Sequence, residues 1–518
     1  MTDENNHRKT ESMTNYEIVY HYSNSSLTVQ DKESLMGAPL NSVLATQRSS
    51  QLAMDESWMK SIWDWADEFE IPEESIPRNR DGLLAITRLA ILKPNWESPK
   101  ISYLPDELTL LSNLTVLTIN NTALTSLPEN IGQLINLTEL DVSSNKLREL
   151  PQSIFNLTDL TKLNVRNNEL ISLPENIGRL TNLTELDVGF NNLRELPESI
   201  GQLTNLTKLN IFYSKLKELP QSVFDLTGLT KFNISNNELR VLPENISQLT
   251  NLTELDVGSN NLKELPQSIF NLTDLTKLRA YYNELISLPE NIGQLINLTE
   301  LDVSSNKIRE LPQSIFNLTD LTKLNVRNNE LISLPENIGQ LTNLIELDVR
   351  CNKFRGFPES IFNLTGLTKL SVGNTDGSVT NNELRVLPED IDQLTNLTEL
   401  NISFSNIKEL PESIGRLTNL TELSLHSNEL KVLPESIGQL TNLTGLDVSF
   451  NNLRELPQNI GQLTNLTDLN VGYNRLKDLP ESITQLTKLT FLYIGDNNFG
   501  DFSDSILQFI NLDQIDVW

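Results

Sequence analysis

The sequence predicts an α/β repeat protein: a right-handed solenoid, curved like a horseshoe, with a parallel β-sheet on its concave side and a helical cap before the first repeat. Three observations predict this fold. Prolines recur every 23 residues from Pro105 to Pro480, with a single step of 30. Most intervals carry the pattern L-x-x-L-x-L-x-x-N-x-L, with Val or Ile often at the third apolar position. Within that pattern, apolar and polar residues alternate as they do in a strand with one buried face.

A single repeat shows why the units must stack. In the unit that begins at Pro128, the apolar Leu140 and Val142 alternate with charged or hydroxyl residues. One 23-residue unit cannot bury such a face alone, so successive units are expected to share a continuous core. Asn145 and its equivalents are expected to bind backbone groups where the chain leaves the strand. The proline falls on the return segment, where no backbone donor is needed.

The chain divides into three segments. Residues 1–50 are rich in Ser, Thr, Asn and charge without sustained periodicity, which predicts disorder. Residues 51–100 are predicted to form a helical cap and a degenerate first repeat, because large apolar residues recur at helical spacing between positions 58 and 69. A partner-binding amphipathic helix is the alternative interpretation of this segment. Residues 101–518 are predicted to form the solenoid, with about 18 repeats.

Two irregularities interrupt the solenoid. The step of 30 residues places an insertion at 373–380, rich in Gly, Asn, Asp and Ser, which predicts a turn-rich loop. This loop is either a tolerated insertion or a recognition element. The final predicted strand, at 512–517, presents an unpaired parallel edge, partly covered by Phe499, Phe502, Phe509 and Trp518. An end-to-end homodimer through this edge is therefore an alternative to a monomer.

Composition excludes several classes of partner. The formal net charge of −29 disfavours nucleic acid and anionic membrane surfaces and favours a protein partner with a basic surface patch. The same acidity also keeps a long solenoid soluble. Cys351 is the only cysteine, so no intramolecular disulfide is expected. Neither a secretory signal nor a membrane span is predicted. A cytoplasmic location is expected, with delivery into a host cell by a specialised system as the alternative.

The sequence offers little for catalysis. Its three histidines, His7, His21 and His426, and its one cysteine form no metal-ligand pattern and no obvious nucleophile–base pair. No phosphate-binding or dinucleotide-binding loop is present. The abundant carboxylates are arrayed by the repeat rather than paired at one place. We therefore predict a protein that is not an enzyme and that uses neither a cofactor nor a metal.

Most of the predicted concave face is expected to neutralise itself. The first outward position of successive strands carries opposite charges on neighbouring repeats in most cases, which predicts salt bridges between strands. These positions are Glu139, Lys162, Glu185, Lys208, Lys231, Glu254, Lys277, Glu300, Lys323, Glu346 and Lys369.

Positions that depart from the repeat consensus are the better candidates for binding, because exposed aromatic and arginine residues anchor protein interfaces. The candidates are Phe190, Phe212, Tyr213, Arg279, Tyr281, Tyr282, Arg327, Arg350, Phe404, Phe450 and Tyr473. Arg166 and His426 face the same side. The pairs Phe212–Tyr213 and Tyr281–Tyr282 are the predicted centre of the site. The alternative is that these aromatics only pack on neighbouring loops.

The repeat unit LPENIGQLINLTELDV, at 127–142, resembles the 23-residue class of intracellular leucine-rich repeats. Similar units occur in plant Ras-group-related proteins, in animal Ras-pathway scaffolds and in many bacterial proteins. The segment IWDWADEFEIP, at 62–72, looks like the cap that precedes such repeats in bacterial members. The resemblance covers about residues 55–518. It implies protein binding on the concave sheet, by an intracellular signalling scaffold or by a bacterial effector. A structural solenoid that assembles end to end is the alternative function.

Overall fold

A computed structural model describes residues 56–92, 100–375 and 382–501, together with residues 507, 509, 516 and 517. The predicted disorder of 1–50, the insertion beyond residue 375, and the predicted roles of Phe502 and Trp518 lie outside the described residues. Within them, the predicted fold class is confirmed: short parallel strands alternate with 3₁₀ helices in a leucine-rich repeat solenoid that follows an N-terminal helix.

The N-terminal region contains helix α1, Ser57–Glu68, and the short helix α2, Arg80–Leu84. Trp58, Ile62 and Trp65 of α1 are buried, as is Phe69 just after it. The Trp65 indole N–H donates a hydrogen bond to the carbonyl of Tyr103, at 3.0 Å, in the segment before the first 3₁₀ helix. The apolar face of α1 therefore packs against the start of the repeats. This burial supports the cap interpretation over the partner-binding helix.

The described residues fall into two compact units, and the strands of each unit are parallel. The first unit comprises the described residues up to 169, with 179–183. Its strands are β1 (Arg88–Leu92), β2 (Val116–Asn120), β3 (Glu139–Asp141) and β4 (Lys162–Asn164). Each of these strands pairs in parallel with the next. Their central residues lie opposite one another and are buried: Leu117 against Leu140, and Leu140 against Leu163.

The second unit comprises residues 170–178 and the described residues from 184 onward. Its strands, each paired in parallel with the next, are β5 (Glu185–Asp187), β6 (Lys208–Asn210), β7 (Lys231–Asn233), β8 (Glu254–Asp256), β9 (Lys277–Arg279), β10 (Glu300–Asp302), β11 (Lys323–Asn325), β12 (Glu346–Asp348), β13 (Lys369–Ser371), β14 (Glu399–Asn401), β15 (Glu422–Ser424), β16 (Gly445–Asp447), β17 (Asp468–Asn470), β18 (Phe491–Tyr493) and β19 (Asp516–Val517). The register shift of 23 residues matches the sequence period, except between β13 and β14, where the insertion makes it 30, and between β18 and β19, where it is 25.

A 3₁₀ helix follows the proline of most repeats. Pro220, for example, has φ −63° and precedes one of these helices, so the ring presets the backbone at the point where the helix begins. The helices span Asp106–Leu110, Ile131–Gln133, Gln152–Asn156, Glu175–Arg179, Glu198–Gln202, Gln221–Asp225, Glu244–Gln248, Gln267–Asn271, Glu290–Gln294, Gln313–Asn317, Glu336–Gln340, Glu359–Asn363, Glu389–Gln393, Glu412–Arg416, Glu435–Gln439, Gln458–Gln462 and Glu481–Gln485.

The predicted asparagine ladder is confirmed. The Asn260 side chain is 7% exposed and donates to the carbonyls of Ile234 and Val257, at 3.0 and 3.1 Å. Its oxygen accepts the backbone N–H of Leu239 at 3.0 Å. One amide thus ties the backbones of two neighbouring repeats. Asn382 takes the same role after the insertion, since its oxygen accepts the N–H of Phe354 at 2.9 Å.

The Asn-Leu-Thr triplet that precedes many of the strands forms a second set of contacts between repeats. The Asn251 side chain donates to the carbonyl of Thr227 at 2.8 Å, and the Thr253 hydroxyl donates to the carbonyl of Thr230 at 3.0 Å. The triplets therefore recur because they connect repeats, which is a sufficient structural reason for their abundance.

Candidate binding surface

The polar side of the sheet in the second unit is here called the strand face. It consists of the first and third residues of each strand, together with the two residues that precede the ladder asparagine or, at Ser214 and Ser405, the serine that replaces it. In β5, the outer Glu185 and Asp187 are partly exposed while the central Leu186 is buried. The strand face is thus the polar counterpart of the core, and all the site residues predicted from the sequence belong to it.

The predicted salt bridges between strands are present over β5–β14. The pairs and their N–O distances are Lys208–Glu185 (2.8 Å), Lys231–Glu254 (2.8 Å), Lys323–Glu346 (3.0 Å) and Lys369–Glu399 (2.6 Å). All these groups are substantially exposed, so each pair is worth only about 0–1 kcal/mol. Their main effect is to neutralise the face, which leaves little charge there for a partner.

Two of the three predicted arginine anchors are already paired within the chain. Arg279 on β9 contacts Glu300 at 2.8 Å. Arg350 forms a two-pronged ion pair with Asp348, with distances of 2.6 and 3.0 Å, and these hydrogen bonds raise the pKa of Arg350. Arg327 is half-buried, and its backbone N–H donates to Asn325. A partner would therefore have to compete with intramolecular carboxylates for Arg279 and Arg350.

Phe190, Phe212 and Tyr213 form one aromatic cluster. The ring centroids of Phe190 and Phe212 are 4.6 Å apart, edge to face, and those of Phe190 and Tyr213 are 4.6 Å apart and stacked. The Phe212 ring lies over Gly189, where an added Cβ would come within 2.5 Å of it. Tyr213 remains 55% exposed. The structure therefore joins the predicted Phe212–Tyr213 pair to Phe190.

Tyr281 and Tyr282 have different environments despite being adjacent. Their ring centroids lie 6.4 Å apart. The Tyr281 ring covers Gly258, where an added Cβ would come within 2.4 Å of it, and burial raises the pKa of Tyr281. Tyr282 is 64% exposed. The packing alternative thus describes Tyr281 well, while Tyr282 is available to a partner.

Among the described residues, the largest group of contacting rings, called the aromatic ribbon, consists of Phe404, His426, Phe450, Tyr473 and Tyr493. Successive centroids lie 4.9, 5.0, 4.0 and 6.3 Å apart along the ribbon. Phe450 and Tyr473 are stacked and exposed. His426 Nδ1 lies 2.7 Å from the Ser449 hydroxyl. Sequence reasoning missed Tyr493, because it occupies a strand position rather than the turn position of the other aromatics.

The turn before the ladder asparagine has a left-handed backbone, and six of the predicted aromatics occupy it: Phe190, Tyr213, Tyr282, Phe404, Phe450 and Tyr473, with φ between 48° and 56°. Other repeats place Ser, Asn or Cys there, for example Ser259 and Cys351. Bulky side chains at positive φ are disfavoured, so the backbone gives no reason for aromatic residues at this position. Their presence is explained better by what the rings contact.

The alternation of charge stops after β14. The first positions of β15, β16 and β17 are Glu422, Gly445 and Asp468, with no lysine among them. A cavity of about 600 Å³ lies over this region of the strand face. Its lining includes Arg350, Glu399, Glu422, Asp447 and Asp468. The sequence itself carries this signal, because the residues at the first strand position no longer alternate in charge beyond Lys369 and Glu399.

Among the described residues, no helix combines the length and the apolar character needed to cross a membrane. In the same part of the chain, no group of three or more His, Cys, Asp and Glu side chains is placed to hold a metal ion.

The repeated strand, 3₁₀ helix and asparagine ladder define a leucine-rich repeat protein. The family described as leucine-rich repeat region matches residues 98–193, 231–305 and 281–372, and a second leucine-rich repeat family matches 395–453 and 441–499. The chain is 30% identical to a leucine-rich repeat protein of Leptospira interrogans, over 85% of this chain and 98% of that one, with a TM-score of 0.56. This chain belongs to the leucine-rich repeat family.

Two other solved structures are similar. YopM from Yersinia enterocolitica is 26% identical, over 90% of this chain and 99% of that one, with a TM-score of 0.60. The ectodomain of the Arabidopsis receptor kinase HAESA, in complex with an extended IDA peptide hormone, is 29% identical over 80% of this chain and 71% of that one, with a TM-score of 0.60. A comparison with curated protein sequences gives no match. Leucine-rich repeat solenoids typically act as protein-interaction modules.

Proposed function

We propose that this chain is a non-catalytic module that binds a protein partner on its strand face, through the aromatic side chains at the strand ends. The observation that carries the proposal is the aromatic ribbon. Five rings run across consecutive repeats, and Phe450 and Tyr473 expose 46% and 42% of their surface. Contiguous exposed aromatics provide large contact area at low conformational cost and are enriched at binding hot spots.

The charge of the chain supports a partner with a basic patch, since an acidic surface attracts such a partner and repels nucleic acid. The peptide complex of the HAESA ectodomain is consistent with polypeptide binding by a similar repeat array. Two cellular roles fit this activity: an intracellular signalling scaffold, or a bacterial effector that acts in a host cell. Both roles require only the binding of a partner and no catalysis.

The test is affinity capture with the intact chain, followed by calorimetric titration of the captured protein. The ribbon variant is Phe450→Ser with Tyr473→Ser, and a second variant replaces Phe212, Tyr213, Tyr281 and Tyr282 with Ser. The control variant is Ile332→Ser with Val432→Ser, which removes side chains that are 69% and 54% exposed outside the strand face. We expect at least one aromatic variant to lose about tenfold in affinity and the control to retain it. Equal affinity in all the variants would refute the proposal.

End-to-end assembly through the C-terminal strand is the alternative function. Light scattering over a range of concentrations separates the two. A binding module keeps a constant mass, whereas an assembling solenoid gains mass as concentration rises. A concentration-dependent mass together with no captured partner would favour assembly.

A further inference from the structure

We infer that the strand face over β14–β18 is a docking groove for an extended, arginine-bearing segment of the partner protein. This inference rests on the proposed function and specifies where the partner binds and by what chemistry. The groove has a carboxylate floor and an aromatic border, and both features depart from the repeat pattern of the rest of the strand face.

The floor carries negative charge that the chain does not neutralise. Glu422 and Asp468 are exposed, and among the described residues neither forms a salt bridge with a lysine or an arginine. The Glu422 carboxylate accepts from the Thr444 hydroxyl at 3.0 Å, and Asp468 accepts from the Thr467 hydroxyl at 2.6 Å. Neutral hydroxyls leave the full charge of both carboxylates in place.

The third carboxylate, Asp447, joins the floor to the aromatic border. Asp447 Oδ1 accepts from the backbone N–H of Ser449 at 2.9 Å, and its Oδ2 lies 4.0 Å from His426 Nδ1. The cations at the other end of the groove are already occupied: Arg350 by Asp348, and Lys369 by Glu399. The groove therefore has three carboxylates available to an incoming cation.

Gly445 gives the Glu422 carboxylate its place in the groove floor. It occupies the strand position that holds Glu or Lys in most repeats, and a Cβ there would lie 1.9 Å from the Glu422 carboxylate. The Glu422 side chain thus lies over the glycine, and the cavity of about 600 Å³ opens along β13–β18 with Phe491 in its lining. This volume is ample for several side chains of a bound segment.

Arginine fits this groove better than lysine. A guanidinium group binds a carboxylate with two parallel hydrogen bonds and also stacks on aromatic rings. The groove offers both kinds of contact, because the aromatic ribbon follows the carboxylate-bearing strands and its His426 lies 4.0 Å from the Asp447 carboxylate. A lysine ammonium would gain the charge attraction and lose the planar contacts.

The spacing indicates the length of the segment. From β14 to β18 there are four steps between strands, which is roughly 19 Å at about 4.8 Å a step. An extended chain advances about 3.3 Å per residue, so about six residues cross the groove. Alternate side chains point to one side, so three of the six face the groove.

The test measures fluorescence anisotropy of labelled hexapeptides with the intact chain: Arg-Ser-Arg-Ser-Arg-Ser, the lysine equivalent and the glutamate equivalent. We expect the arginine peptide to bind more tightly than the lysine peptide and the glutamate peptide not to bind. The groove variant Glu422→Gln with Asp468→Asn should weaken the arginine peptide about tenfold, since two charge-assisted contacts are lost. The control variant, Glu185→Gln with Glu346→Gln, makes the same change of net charge at equivalent strand positions and should stay within about twofold.

Three outcomes overturn the inference: no binding of the arginine peptide, equal weakening in the groove and control variants, or equal affinity for arginine and lysine peptides. The captured partner separates this inference from the proposed function. If the partner loses affinity for the ribbon variant and not for the groove variant, binding on the strand face stands and the arginine groove is wrong. If it loses affinity for both, the two stand together.

Discussion

The asparagine ladder makes a sharp prediction about stability. Replacing Asn260 with Ala leaves the buried N–H of Leu239 without a partner. The carbonyls of Ile234 and Val257 each lose one of two asparagine donors and keep the other, Asn237 and Asn283 respectively. A buried polar group left unpaired costs about 1–3 kcal/mol, so the substitution should destabilise the protein by about that amount. Asn251→Ala, in the same repeat, removes one exposed hydrogen bond to Thr227 that water can replace. Its cost should be about 0.5–1 kcal/mol.

Urea unfolding followed by circular dichroism measures both costs, and hydrogen exchange locates the loss of protection. In a repeat array each unit is held by its neighbours, so the Asn260→Ala protein should lose protection first around β7–β9. The two substitutions are chemically identical and differ only in burial. If they destabilise the protein equally, or if Asn260→Ala costs less than about 1 kcal/mol, the ladder does not stabilise the core as argued.

Two further predictions concern the strand face. Hydrogen bonds with Asp496 and Tyr493 raise the pKa of Tyr473 to about 12, so the folded state favours the protonated phenol. The stabilisation that these hydrogen bonds give the folded state is therefore complete below pH about 10 and is lost as the pH rises towards about 12. Titration of tyrosinate absorbance should show this late group, and Asp496→Asn should move it earlier; an unchanged titration contradicts the assignment. Gly258→Ala should displace the Tyr281 ring and cost about 1–3 kcal/mol. The control is Gly228→Ala, where an added Cβ lies 3.4 Å from its nearest neighbour, and it should be neutral or slightly stabilising. Near-ultraviolet dichroism and thermal melting compare the two variants, and equal effects of both substitutions would refute this reasoning.

Much of the fold was predictable because the 23-residue period of the sequence specifies it. Leu140 and Val142 are buried, Asn145 bridges two repeats, and Lys208 pairs with Glu185, all as the spacing predicts. These features depend on residues 23 positions apart meeting at a fixed register, and a regular repeat specifies that register. The cap helix was predictable for a similar reason, since helical periodicity shows which side chains must be covered.

The candidate site was predictable only in part. The sequence identified Phe212 and Arg279 as departures from the consensus, but it did not distinguish a ring packed on a glycine from one that faces solvent. Nor did it reveal that Arg279 is paired with Glu300, because that contact joins a third strand residue to a first strand residue on the next repeat. Such diagonal contacts depend on side-chain conformation rather than on period.

By itself, the sequence determined the repeat, its register, the buried ladder and the acidic charge, because each is a local pattern repeated many times. The tertiary structure decided which charges cancel and which rings touch. Lys369 and Glu399 are 30 residues apart and lie 2.6 Å from each other, whereas Glu422 lies beside Gly445 with no cation across from it. Charge neutralisation and aromatic stacking act over a few ångströms in space, so only the folded arrangement shows where the strand face is open to a partner.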